Sequence, residues 1–196
     1  MKFILISGPS GSGKTTLSRN ILEKIKNGIV LSTDNYYKTG YISKILSIIV
    51  DGYFDRGISL NYKLLRKDIN FIIKNKSSNY ERSYSFKNKD IKKLFKKTKN
   101  IKLLIVEGIF ARDLIGSIDE KNCFFIELTK NKNECMNRVI KRDFIERGKK
   151  KNLAKKDFLK SWDIYYDRFK NKSFKNLYEF TFNKNTDLNE LLKNIL

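Results

Sequence analysis

The sequence predicts an α/β fold, a parallel sheet with helices on both faces, and three observations carry that prediction. Short apolar runs alternate with stretches of helical periodicity along the 196 residues, the order expected of repeated strand–helix units. The strongest runs, Phe3-Ile4-Leu5-Ile6 and Ile101 to Val106, are continuously apolar, as strands covered on both faces must be. The first of them leads directly into GPSGSGKTT, Gly8 to Thr16, which fits the strand–loop–helix pattern G-x-x-x-x-G-K-[ST].

Taken in order, the first strand covers Lys2 to Ser7. The first helix runs from about Lys14 to Lys26, with Leu17, Ile21, Leu22 and Ile25 marking its apolar side and Asn27-Gly28 its stop. A second strand, Ile29 to Ser32, ends at Thr33-Asp34. Residues 35 to 59 hold a tyrosine-rich loop, an apolar helical patch at Ile42 to Val50 and the turn-rich DGYFDRG. A helix from about Leu60 to Lys74 carries Leu65, Ile69, Ile72 and Ile73 on one face. Within the basic stretch Lys76 to Asn100, the alternation from Tyr80 to Phe86 suits a hairpin. The strand Ile101 to Val106 ends at Glu107-Gly108. A strand from Cys123 to Leu128 then precedes a helix from about Lys132 to Arg147. Cys135, Met136, Val139, Ile140 and Phe144 make that helix's buried stripe, and Gly148 is its C-cap. Phe158, Trp162, Tyr165, Tyr166 and Phe169 share one helical face and are expected in the core rather than on a base-stacking platform. A strand, Tyr178 to Phe182, and a helix from Asp187 onward close the chain. With no repeat or linker, residues 1–196 are expected to form one domain.

Composition narrows the chemistry. The chain has no histidine, which excludes Ser-His-Asp and Cys-His hydrolysis, H-E-x-x-H zinc chemistry and His-based phosphotransfer. Cys123 and Cys135 are too few for a disulfide framework or a zinc site and are expected as reduced thiols in a cytoplasmic protein. No apolar run approaches a membrane span, and no signal peptide precedes the glycine-rich loop. The formal net charge of +21 invites a nucleic-acid reading. Lysine is, however, dispersed beside abundant Asn and Ile, as compositional bias would leave it, and no nucleic-acid-binding motif is present. Neither a specific nucleic-acid partner nor a membrane is expected.

The glycine-rich loop has the composition that phosphate chemistry needs. Gly8, Ser10, Gly11, Ser12 and Gly13 let successive N–H groups turn toward phosphate oxygens, and the following helix adds its positive end, with Thr16 in its first turn. Lys14 would reach the β- and γ-phosphates and Thr15 would bind Mg²⁺. In a parallel sheet, ligands sit beyond the carboxyl ends of the strands. Asp34 and Glu107 end two strands there and suit Mg²⁺ as oxygen ligands, while Asp34 could also take the proton of an attacking hydroxyl. Arg138, Arg142, Arg147 and Lys149 surround the helix end KRDFIERGKK. They could fold over a triphosphate or form a solvated face with pairs such as Arg142–Glu146.

In order, GPSGSGKTT, LSTDNYYK, YFDRG, Tyr80, VEGIF and KRDFIERGK make the chain resemble the uridine (uridine–cytidine) kinases of the phosphoribulokinase/uridine kinase group. The resemblance covers nearly the whole chain and implies a P-loop nucleoside-kinase-like fold, with ATP and Mg²⁺ as cofactors. The implied reaction is transfer of the γ-phosphate to the 5′-hydroxyl of uridine or cytidine. It further implies Asp34 as base and Glu107 as metal partner, and it makes Lys14, Arg142 and Arg147 catalytic. On the acceptor side, an excursion over about 35–100, Asp55 would hold the ribose hydroxyls, with Tyr37, Phe54 and Tyr80 around base and sugar. Arg142, Arg147 and Lys149 would contact phosphates from a lid over about 138–156. Bacterial-type members are often homo-oligomers. The chain departs from the family in three places. The histidine that follows the Tyr80 position has no counterpart, Ser85 or a neighbour standing there; His-Pro after the ribose aspartate is Arg56-Gly57; and the last lid arginine is Lys149. A related kinase with another acceptor alcohol, and a nucleic-acid-binding NTPase, are the competing readings.

Overall fold

A computed structural model of the chain describes residues 1–116, 123–168, 177–180 and 185–195. Its core is a five-stranded sheet made of β1 (Lys2–Ser7), β2 (Gly28–Ser32), β5 (Leu103–Glu107), β6 (Cys123–Leu128) and β7 (Leu177–Phe180). The spatial order is β2-β5-β1-β6-β7, and every pairing is parallel. The expected fold class is therefore found, with β1 at the centre. Alternation along β1 splits the interior in two. Ile4 and Ile6 face α1 (Lys14–Lys24) and α6 (Asn185–Ile195) through Leu17, Ile21, Leu188 and Leu191. Phe3 and Leu5 face the opposite layer, which includes Leu65, Ile69 and Ile72 of α3 (Tyr62–Asn75) together with Tyr36, Phe110 and Tyr165.

The excursion between β2 and β5 contains α2 (Tyr41–Ile49) and a separate antiparallel pair, β3 (Ser78–Ser85) and β4 (Asp90–Thr98). Helices α4 (Lys132–Arg147) and α5 (Lys151–Asp167) pack on one another through Cys135, Val139 and Phe158. The C-cap Gly148 adopts the left-handed conformation the sequence anticipates. No helix among the described residues is long and apolar enough to cross a membrane.

Several buried faces differ from expectation, and a charge is the reason in two cases. In α3 the inward position is Asp68, held by hydroxyls, while Ile73 is 39% exposed. In α4 the buried row continues Cys135, Val139, Asp143, and Phe144 is exposed. The row advances by four residues per turn, so a satisfied carboxylate takes the inward place and the aromatic does not. Of the aromatic stripe, Phe158 and Tyr165 are core, Tyr166 is exposed, and Phe169 lies outside the described residues. The strand expected at Ile101 is regular from Leu103 and runs on through Glu107.

Gly108, which follows β5, has φ +140°, and a Cβ there would collide with the Thr33 side chain. This contact locks the end of β5 to the 3₁₀ turn Thr33–Tyr36 that carries Asp34. Gly108→Ala combines overpacking with backbone strain and should cost about 3 kcal/mol. Gly116→Ala, where a Cβ meets open space, should cost about 1 kcal/mol of strain alone. Equal losses for the two variants in urea denaturation would refute the close contact.

Candidate active site

The loop Gly8 to Gly13 leaves the end of β1 and turns into α1, whose first residue is Lys14. Gly11 (φ +84°) passes so close to the Cys135 carbonyl of α4 that no Cβ fits. The Lys14 ammonium is buried and donates to the Gly8 and Pro9 carbonyls, each at 2.8 Å. Burial lowers its pKa, and the charges of Glu107, Asp34 and Glu127 oppose that shift. Strand order explains this arrangement: β5 and β6 flank β1, with Ile6 opposite Glu107 and Ser7 opposite Glu127.

Three of the expected polar groups meet at this edge. Thr15 Oγ1 donates to Glu107 Oε1 at 3.3 Å. Glu107 is buried, and its pKa is raised by burial and then by Asp34, with Lys14, Ser32 and Thr15 acting in the other direction. Among the described residues no cluster of three His, Cys, Asp or Glu side chains could cage a metal by itself. Two carboxylates and a hydroxyl are instead a partial oxygen shell. That suits Mg²⁺, which keeps waters and takes phosphate oxygens.

Asp34 is linked to the excursion through Tyr37, whose hydroxyl donates to the Phe54 carbonyl at 3.0 Å and lies 3.4 Å from Asp34 Oδ1. The Tyr37 ring packs edge-on against Phe54, Tyr84 and Phe86 at centroid distances of 5.1, 5.1 and 5.7 Å. Tyr84, rather than the expected Tyr80, is thus the β3 residue that joins Tyr37 and Phe54. Tyr80 lies elsewhere: its hydroxyl donates to Asp68 Oδ1 at 2.8 Å, in a cluster with Tyr36 and Arg82. The cause is the length of the strand, since Tyr84 lies on the same face four residues further along. Ser85 is occupied by the hairpin turn, where its hydroxyl accepts from the Asn88 N–H at 3.2 Å.

Asp55 follows Phe54 in a 3₁₀ turn and accepts from Ser161 Oγ at 2.8 Å. Burial raises its pKa from 3.8 to about 6, with Ser161 and Lys149 opposing the rise and Asp34 and Asp157 reinforcing it.

Three of the four cations of the basic region converge, around an acid that the sequence reading overlooked. Arg142 grips Asp143 Oδ1 through Nε and Nη2 at 2.9 and 2.7 Å. Arg147 and Lys149 reach the same buried carboxylate at 3.4 and 3.9 Å. The expected Arg142–Glu146 pairing is replaced by this local fork. Arg138 Nη1 lies 3.5 Å from the Gly11 carbonyl, over the phosphate loop. The Arg147 guanidinium sits 3.9 Å over the Phe86 ring, so the same region also borders the aromatic group. Lys149 bonds Asp157 of α5 at 2.7 Å.

Sequence reasoning also missed Glu127 at the end of β6. It accepts from Tyr165, lies 3.9 Å from Arg112 and has its pKa raised by burial. Its signal was available, a carboxylate ending an apolar strand as Glu107 does. Asp143 could have been found as the next step after Cys135 and Val139. Nothing in the sequence marks Ser161.

A phosphate loop after the central strand, acids at both flanking strand ends and arginines over the loop define a phosphate-loop kinase. Solved structures share the fold. A Silicibacter sp. TM1040 protein described as a fructose transport system kinase superposes with a TM-score of 0.67 at 14% identity, over 91% of this chain and 89% of that one. YFH7 from Saccharomyces cerevisiae gives 0.61 at 10% identity, over 93% of each chain. The chain belongs to the Phosphoribulokinase / Uridine kinase family, whose model matches residues 3–176. A uridine kinase of Ureaplasma parvum is 30% identical over 88% of this chain and 84% of its own length. One of Borrelia duttonii is 29% identical over 86% and 80%.

Asp55 supplies a stability test. Its protonated form is favoured in the fold, so its cost to stability grows as pH rises from about 4 to about 6 and is complete above that. Asp55→Asn should gain about 2 kcal/mol at about pH 8 and nothing below about pH 4. A gain independent of pH in paired denaturation curves would show that Asp55 carries no such penalty.

Proposed function

We propose that this kinase transfers the ATP γ-phosphate to the 5′-hydroxyl of uridine or cytidine, as a cytoplasmic step of pyrimidine salvage. The observation that carries the acceptor assignment is the aromatic group beside Asp34. Tyr37, Phe54, Tyr84 and Phe86 form a ring-lined wall suited to a flat heterocycle. The Tyr84 hydroxyl is buried with no hydrogen-bond partner among the described residues, and a pyrimidine's polar edge would satisfy it. The relatives named uridine kinases over most of their length support the same acceptor. Because Ser85 is held in the hairpin turn, this reading gives Tyr84 the polar contact that a histidine makes elsewhere in the family.

On the donor side, the N–H groups of Gly8 to Thr16 and the Lys14 ammonium would cradle the phosphates. Thr15, Glu107 and Asp34 would hold Mg²⁺, which when bound neutralises charge on the phosphoryl oxygens. Asp34 accepts the proton of the acceptor hydroxyl and orients its oxygen toward the γ-phosphate. Arg142, Arg147 and Lys149 stabilise the charge that spreads over the transferring group. Asp55 accepts hydrogen bonds from the ribose hydroxyls. Residues 1–196 act as one domain, possession of a nucleic-acid partner is unnecessary to the reaction, and the positive surface reflects composition.

Two measurements test this reading. A panel of nucleosides, pantothenate and sugar phosphates with labelled ATP should give transfer to uridine or cytidine; transfer to a non-nucleoside alcohol alone would overturn the acceptor. Asp34→Asn should lower kcat by about a thousandfold with ATP affinity changed less than about threefold, and near-normal turnover would remove Asp34 as base.

A further inference from the structure

Helix α5 has one face that reaches the basic region, Asp55 and the end of β1. At Asp157, Ser161, Tyr165 and Arg168, just past its end, side chains recur at one-turn spacing. Asp157 bonds Lys149 of the basic region at 2.7 Å. Ser161 donates to Asp55 Oδ1 at 2.8 Å. Tyr165 donates to Glu127 and lies 2.9 Å from the Ser7 hydroxyl, at the root of the phosphate loop. Arg168 pairs with Asp113, which also accepts from Tyr62 of α3. Tyr165, 3% exposed, fixes the helix against the sheet, and Ser161 stands one turn before that anchor.

We propose that Ser161 is a positioning residue, which holds the Asp55 carboxylate in register for the acceptor's sugar hydroxyls. The inference rests on the reading of Asp55 as the acceptor-holding group. A carboxylate has two oxygens and several lone pairs. With Oδ1 held by Ser161 from one side, the turning of the carboxylate is restricted, and Oδ2 is the oxygen left for a ligand. The charges of Asp34 from the 3₁₀ turn after β2, Lys149 from the joint after α4 and Asp157 from α5 all act on the same carboxylate. Lys149 is drawn to Asp157 and Asp143 instead, which leaves the Ser161 hydroxyl as the neutral donor that fixes orientation. The fold carries that orientation from Tyr165 at the phosphate loop to Asp55 at the acceptor along one rigid helix, so donor and acceptor share a single reference.

The test compares uridine with 2′,3′-dideoxyuridine, which keeps the 5′-hydroxyl but lacks the two hydroxyls Asp55 would hold. Ser161→Ala removes the donor without weakening the helix, since alanine is the better helix former. KM for uridine should rise about tenfold, the loss expected of a hydrogen bond to a charged group, with KM for ATP and kcat changed less than about twofold. KM for the dideoxynucleoside should not change, and Ser161→Thr should restore uridine KM to within about threefold. Equal losses for both acceptors, or no loss for either, would overturn the inference. Asp55→Asn separates it from the reading beneath it. If that variant discriminates the two acceptors while Ser161→Ala does not, only the positioning role fails. If Asp55→Asn leaves uridine KM unchanged, the acceptor role of Asp55 and the inference fall together.

Discussion

A buried ammonium must be surrounded by oxygen, and the arrangement of the whole site follows from how this fold meets that demand at Lys14. Taking the charge out of water favours its loss, and two loop carbonyls with three nearby carboxylates keep it. Those carboxylates cannot lie anywhere else. Glu107 and Glu127 end the strands on either side of β1, and Asp34 begins the turn after β2, the next strand outward. The parallel order brings all of them to the carboxyl edge at once, which is where βα crossovers leave room for a ligand. A negative ring around a positive loop is also self-limiting. Burial and Asp34 both raise the Glu107 pKa, and a cation among the acids would oppose that rise, as Lys14 does.

The same logic recurs at Asp143 with the signs exchanged. One buried carboxylate gathers Arg142, Arg147 and Lys149, groups that would repel one another if left to solvent and chance rotamers. A shared counter-ion holds several cations at one place and leaves positive charge over, because Asp143 and Asp157 together oppose three positive groups. Such a cluster keeps net attraction for phosphate while its geometry is fixed in advance. This is a sharper account of the basic region than a flexible lid or a solvated face, the two possibilities open from spacing alone.

Most of the fold was legible because its signals are local. Continuous apolar runs gave β1, β5 and β6, and the loop motif placed Lys14 and Thr15 without reference to the rest. The acids at strand ends were legible by position, and Glu127 escaped only because it was read as part of a strand. Contacts between distant segments were not legible. Tyr80 and Tyr84 have equivalent standing in an alternating strand, and only the path of β3 across the Thr33–Tyr36 turn decides which meets Tyr37. In α3 and α4, a hydrophobic scale assigns Ile73 and Phe144 to the core, whereas tertiary partners allow Asp68 and Asp143 to go there instead. Ser161 has no sequence signature because its meaning depends wholly on a residue more than a hundred positions away.

In-line phosphoryl transfer tolerates little error between donor and acceptor oxygens, and misplacement on the scale of an ångström lowers the rate severely. The two halves here come from different parts of the chain: the phosphate loop from the central strand, the aromatic wall from the excursion between β2 and β5. Gly108 against Thr33 ties them at one point, through the backbone beside Glu107 and Asp34. Helix α5 ties them at a second, with Tyr165 at Ser7 and Ser161 at Asp55. A single contact would leave the halves free to rotate about it. Two separated contacts, together with the core that β1 shares with Tyr36, Tyr37 and Tyr84, restrict that freedom, so the distance between Asp34 and the phosphate loop becomes a property of the fold.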